Sequence, residues 1–166
     1  GNIERPVILP LSNPTANCEA LPKDIYEWTD GKALTATGSP FDPVDHGGKK
    51  IRIGQMNNAF VFPGVGLGVV ASGATSVLPS FFSAAAHAVA EFISEEDIAD
   101  GILCPRLDRL QEVSIEVAKQ VAREAVKAGV CEDGCAFSDF KHNDDPERMD
   151  TLIDKMIWKP VYFNQG

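Results

Sequence analysis

Apolar residues fall in short runs near the start of the chain and at helical spacing towards its end. Arg5 to Ser12 holds the run VILPL, which predicts a short, buried parallel strand rather than a half-exposed alternating one. It stops at Ser12-Asn13-Pro14, where Pro14 holds Asn13 extended or in a turn and presents its amide at the strand's carboxyl end. Pro22 to Gly31 predicts a helix, with proline in its first turn, Ile25 and Trp28 on one face and Gly31 as the stop. Ala33 to Thr37 reads as a second strand, broken by Gly38-Ser39-Pro40-Phe41. Residues 5–44 then form a β-α-β unit with both loops on one edge, where open α/β sheets place their ligands. Asp42 to Gly54, with Gly47-Gly48 and Lys49-Lys50, reads as a polar surface loop within this arrangement.

Residues 54–74 carry a loop with two adjacent carboxamides, Asn57 and Asn58, followed by a glycine-rich helical segment. Ala59 to Phe62 is a third, shorter strand candidate. Residues 79–129 predict a helical layer. Pro79 to Phe92 is Ala-rich, Ser94 caps a short acidic helix that Gly101 ends, and Leu107 to Ala128 is a long amphipathic helix closed by Gly129. On that long helix Leu110, Val113, Val117, Val121, Ala125 and Ala128 recur at spacings of three and four. Asp133 to Glu147 reads as an acidic loop before a last helix, Arg148 to Ile157, and an aromatic tail with Trp158, Tyr162 and Phe163, which together occupy residues 146–166. Two or three strands are too few for a doubly wound sheet of five or six. The pattern predicts the last part of such a sheet, in a single incomplete domain over residues 1–166, followed by the helical layer.

Composition narrows the role. With 166 residues and 44% apolar content the chain can build one ordinary core, and no apolar run is long enough to span a bilayer. A soluble, cytoplasmic protein is expected. The net charge of -9 repels a phosphate backbone and argues against nucleic-acid binding. Cys18, Cys104, Cys131 and Cys135 lack zinc-knuckle spacing and read as reduced structural thiols. His46, His87 and His142 are isolated, so no Ser-His-Asp or Cys-His arrangement can be drawn. The acidic groups Glu95-Glu96-Asp97 and Asp144-Asp145 read as solvated.

Gly64-Val65-Gly66-Leu67-Gly68 invites comparison with a dinucleotide fingerprint, but the spacing is G-x-G-x-G and the first acidic residue downstream is Glu91. Gly64, Gly68 and Ser72, four apart, read better as a small-residue stripe that lets another backbone approach. The asparagines Asn13, Asn57 and Asn58 remain. An amide offers both donor and acceptor at constant charge, which suits a carboxylate, a ribose or a carboxamide. Asparagine also caps turns and helices, and spacing alone favours that simpler role.

The motifs LPLSNPT (9–15), WTDG (28–31), ATGSPFDPV (36–44) and GQMNNAFVFPGVGLGV (54–69), with ISEEDIADGILCPRLDRLQEVS (93–114) and the tail from Trp158 to Tyr162, resemble the carboxyl-terminal part of the NAD(P)-dependent malic enzymes. The resemblance covers nearly the whole chain and is nearest the NAD-preferring branch. It implies the carboxyl-terminal portion of a Rossmann-like doubly wound parallel sheet. It also implies a part in the oxidative decarboxylation of (S)-malate to pyruvate with reduction of NAD. On this resemblance Asn13 and Asn57 contact malate and lie beside the nicotinamide, Asn58 lies next to them, and Ser39 and Pro40 belong to a loop near the cofactor. The family's lysine base, tyrosine acid, divalent metal (Mg or Mn) ligands and phosphate loop are expected upstream, so Tyr26, Tyr162, Lys23 and Lys32 are not assigned those roles. The expectation is a piece of an oligomeric malic enzyme that needs the remainder of the same polypeptide and is inactive alone. The alternatives are a non-catalytic interaction module of the same fold, completed by a partner chain, and an isolated dinucleotide-binding module.

Overall fold

The computed structural model describes residues 3–140 and 145–158. Three strands, β1 (Val7–Ile8), β2 (Leu34–Thr37) and β5 (Gly54–Gln55), form a wholly parallel sheet in the order β1-β2-β5. Val7 lies opposite Leu34 on one side of β2, and Ala36 opposite Gly54 on the other. The central strand is buried, with Ala36 and Thr37 at 0% exposure, and the Thr35 hydroxyl donates to the Ile8 carbonyl at 2.7 Å. Helix α1 (Pro22–Trp28) crosses from β1 to β2, starting at a proline that needs no helical N–H partner.

Several expectations change here. The VILPL run is not a fully buried strand: Val7, Leu9 and Leu11 are exposed while Ile8 and Pro10 between them are covered, so one face of this segment has no covering element among the described residues. On α1, Ile25 is buried with Pro22 and Tyr26, while Trp28 is 71% exposed, so a three-residue spacing on a helix of seven residues did not identify the inner face. Residues 42–54 are not a plain loop. They contain the hairpin β3 (Val44–His46) and β4 (Lys49–Ile51), closed by Gly47 and Gly48, both at positive φ as a two-residue hairpin turn requires. The third parallel strand is Gly54–Gln55, not Ala59 to Phe62. The latter stretch lies in a 3-10 turn, Asn58–Phe60, and the start of helix α2 (Phe62–Ser72).

The helical layer has α2, α3 (Pro79–Glu91), the short α4 (Glu95–Ala99), α5 (Leu110–Ala128) and α6 (Pro146–Met156). Helix α5 is its axis. Its Val113, Val117, Val121 and Ala125 meet Phe60, Val65, Phe81 and Ala85 in one cluster. Its Ala118, Ala122 and Val126 meet Phe137, Phe140, Met149 and Ile153 in a second. The buried surface of α5 is therefore wider than the expected stripe, and Ala128 lies outside it. Each large side chain buried there, such as Phe81 or Ile153, contributes roughly 1.5–3 kcal/mol relative to exposure.

The glycine stripe packs α2 against α5. A Cβ at Gly64 would sit 2.5 Å from the Ser114 carbonyl oxygen, and one at Gly68 2.7 Å from that of Ala118. Ser94 caps α4 as expected, its hydroxyl accepting from the Asp97 N–H at 3.1 Å, and Gly129 ends α5 in the left-handed conformation. The acidic loop from Asp133 carries two buried aromatic residues, Phe137 and Phe140, and of the acidic group at 95–97, expected to be solvated, Asp97 is instead partly buried against Arg52. The four cysteines are free thiols, and burial pushes Cys104 and Cys131 up to about 11. His142, Asp144, Tyr162 and Phe163 lie outside the described residues, as does most of the tail.

Candidate functional site

The loops that follow the three parallel strands converge at the carboxyl edge of the sheet. Gly38 ends β2 and donates its N–H to the Pro10 carbonyl at 3.2 Å. A Cβ on Gly38 would lie 2.1 Å from the Leu11 carbonyl oxygen, so only glycine lets the two loops close on one another. This approach brings Ser39 beneath Asn13. Ser39 is 3% exposed, and its hydroxyl donates to Asn13 Oδ1 at 2.6 Å. The Thr37 hydroxyl donates to the Ser39 carbonyl at 2.8 Å and fixes the loop from below.

The third loop is tied to the same edge. Met56 N–H donates to the Thr37 carbonyl at 2.8 Å, and Gln55 Nε2 reaches the Gly38 carbonyl at 3.4 Å. Asn57 follows directly. Its Oδ1 accepts from the Ala59 N–H at 2.9 Å, so it caps the 3-10 turn that leads into α2. The glycine-mediated contact of α2 with α5 anchors that turn from behind. Asn58 is exposed at the first position of the turn, and Pro40 is exposed beside Ser39.

The capping role is seen at Asn57, whereas the Asn13 oxygen is taken by Ser39 and caps no turn. Asn13 and Asn57 each use the side-chain oxygen internally, and among the described residues neither Nδ2 group has an acceptor. An amide whose oxygen is engaged presents its two N–H donors outward. Such donors fit an acceptor such as a carboxylate, a carboxamide oxygen or a ribose hydroxyl. Beside Pro40 and Gln55 a cleft of about 300 Å³ runs to Arg52 and Arg106. Among the described residues no three His, Cys, Asp or Glu side chains are grouped to hold a metal.

Sequence reasoning named the five residues Asn13, Ser39, Pro40, Asn57 and Asn58, and the fold brings Asn13 and Ser39 into direct contact. It missed Gly38 and Gln55, which hold the loops together. Gln55, immediately before the Met56-Asn57-Asn58 run, was the available signal.

A parallel α/β sheet with polar amides on its carboxyl-edge loops defines a ligand-binding domain of the doubly wound class. Residues 1–126 match the family described as malic enzyme, NAD binding domain, and the chain belongs to that family. It is 46% identical over 96% of its length to the NAD-dependent malic enzyme of Photorhabdus laumondii, covering 26% of that protein. The NAD-dependent malic enzyme of Acinetobacter baylyi is 44% identical over 97% of the chain, which covers 27% of it. The chain thus spans about a quarter of the length of the curated relatives it matches. The malic enzyme of Entamoeba histolytica, a solved structure, superposes on 89% of this chain and is covered over 26% of its own, with a TM-score of 0.61 at 24% identity, a likeness of fold.

Proposed function

We propose that this chain forms one wall of the active site of an NAD-dependent malic enzyme, which converts (S)-malate to pyruvate and CO2. The observation that carries the reading is the pair of amides, Asn13 and Asn57, held by their oxygens at the carboxyl edge with their donors free. Asn57 donates to a malate carboxylate and Asn13 to malate and the nicotinamide carboxamide. Asn58 and Pro40 border the cofactor, and Ser39 holds Asn13 in place from its buried position. Held beside Asn13, Pro40 and Asn58, NAD would supply the acceptor for the hydride on the hydroxyl-bearing carbon of malate. The contribution of this chain is orientation, since a neutral amide neither gives nor takes a proton near neutral pH.

The lysine base, the tyrosine acid and the ligands of the divalent metal we place on other parts of the polypeptide, in a cytoplasmic homo-oligomer. Alone, the chain is then inactive. Purified chain with malate, NAD and Mn²⁺ should form no NADH, and clear turnover would overturn this assignment of roles. The same chain exchanged for the matching quarter of the Photorhabdus laumondii enzyme should support turnover, and a folded chimaera without activity would count against the reading as a whole.

A further inference from the structure

The segment that carries Asn13 leaves the sheet well before it reaches the site. Strand β1 ends at Ile8, and residues 9–12 run on to Asn13 beyond the ladder. Gly38 ties Pro10 to the neighbouring loop, and Ser39 takes the Asn13 oxygen. Holding that oxygen sets the aim of the Nδ2 donors only if the backbone beneath it is held as well. The backbone is held at Ser12. Its N–H donates to Glu19 Oε2 at 3.2 Å, and its hydroxyl donates to Glu19 Oε1 at 2.6 Å.

One carboxylate thus takes both donors of the residue before Asn13. An O–H bond to a carboxylate at this distance is charge-assisted, about twice as strong as a neutral one. The Ser12 hydroxyl, the N–H of Glu19 itself and the Ser12 N–H hold the Glu19 carboxyl below its ordinary value. Glu19 stands three residues before Pro22, the buried first residue of α1, so the carboxylate is anchored from the helix side. Between Ser12 and Glu19 the chain folds back through the 3-10 turn Thr15–Asn17, where the Asn17 N–H donates to the Pro14 carbonyl at 2.8 Å. Residues 12–19 therefore form a compact loop whose two ends are joined by a side chain, a form common among functional surface loops.

We infer that Glu19 is a positioning residue: by accepting both donors of Ser12 it fixes the backbone under Asn13, while Ser39 fixes the side-chain oxygen, and the two together aim the Asn13 amide at its ligand. The role rests on the reading of Asn13 as a malate contact proposed above, and it is exerted through Asn13. Alanine at position 19 would leave both Ser12 donors without their acceptor. Glutamine would keep one amide oxygen, enough for one of the two donors.

Two measurements test this together. In amide NMR spectra of the complete chain, Glu19→Ala should shift the Ser12 N–H and the Asn13 Nδ2 resonances and leave those of α5 and α6 in place. In the Photorhabdus laumondii chimaera the same variant should raise KM for malate about tenfold with kcat within about twofold, the scale of one hydrogen bond to a charged group. Glu19→Gln should fall between it and the wild type, and serves in its place should Glu19→Ala not fold. Tm should be unchanged, because the loop lies outside both hydrophobic clusters. A merely structural role would instead lower Tm and kcat through the active fraction and leave KM as it was. Unmoved Ser12 and Asn13 resonances would overturn the inference, as would a wild-type KM for Glu19→Ala in a chimaera where Asn13→Ala raises it. A wild-type KM in both variants would remove Asn13 from malate, and the role of Glu19 with it.

Discussion

Gly64→Ala and Gly66→Ala place the same methyl group on the same helix, two residues apart, and should move stability in opposite directions. At Gly66 a Cβ meets nothing within 4 Å. The substitution there should stabilise by about 1 kcal/mol, the difference in helix propensity between glycine and alanine. At Gly64 the Cβ would lie 2.5 Å from the Ser114 carbonyl oxygen and 2.6 Å from Val117 Cβ, against ordinary contacts of 3.4 Å and more. Backbone stands on one side and a buried β-branched residue on the other, so neither can rotate away. Relief requires α2 to move off α5, and overpacking of this kind costs about 1–3 kcal/mol, which exceeds the propensity gain. Taking the upper end for a clash with backbone, Gly64→Ala should be about 2 kcal/mol less stable than wild type. The two variants should then differ by about 3 kcal/mol, with each kcal/mol shifting Tm by about 2–4 °C in a domain of this size. Denaturant melts followed by circular dichroism measure this directly. Equal stabilisation by both would refute the close approach of α2 to α5, and with it the anchoring of the turn that carries Asn57.

Three further outcomes are expected. Ser39→Ala removes the donor to Asn13 Oδ1; it should cost about 1 kcal/mol of stability and, in the malic enzyme chimaera, raise KM for malate more than it lowers kcat. An unchanged KM would separate Ser39 from the site. Cys104 and Cys131, both pushed up to about 11 by burial, should resist a thiol reagent at pH 8 in the native chain and react once it is denatured; rapid native labelling of either, located by mass spectrometry, would contradict their packing. The hydrogen bond from Arg52 holds the Asp97 carboxyl below its ordinary value, against the opposing effect of burial. A depressed folded-state value means that the pair's contribution is present above the unfolded carboxylate value near 3.9 and fades as pH falls through the folded one. The stability gap between wild type and Arg52→Gln should therefore close in strong acid, and a gap independent of pH would remove Asp97 from that role.

Legibility followed the range of the forces involved. Local signals stood out in the sequence: Ser94 as a cap, Gly129 as a helix end, the Gly64-Gly68-Ser72 stripe and the two loops at the ends of β1 and β2. Each depends on residues within a few positions of one another. The hairpin over residues 44–51 was missed because its strands are three residues each and charged, although Gly47-Gly48 is a turn signal of the two-residue kind. Strand β5 has two residues, one of them glycine, and exists through its pairing with β2, a partner invisible to periodicity. Phe137 and Phe140 lie in an acidic stretch and are buried by α5 and α6, so their environment is set by elements distant in sequence. Of the site, the asparagines were legible as residues, and the Asn13–Ser39 bond, 26 positions apart, was not.

The most direct measurement is malate-dependent NADH formation by the chimaera that carries this chain in the Photorhabdus laumondii enzyme, compared with its Asn57→Ala variant. Loss of a donor that orients the substrate carboxylate should lower kcat/KM by about 10²-fold, the scale of a misplaced substrate, with the loss of its cap on the turn costing about 1 kcal/mol of stability and leaving the fold in place. A variant that turns over malate with unchanged kcat and KM would contradict the account, leaving Asn57 as a cap of its own turn and nothing more.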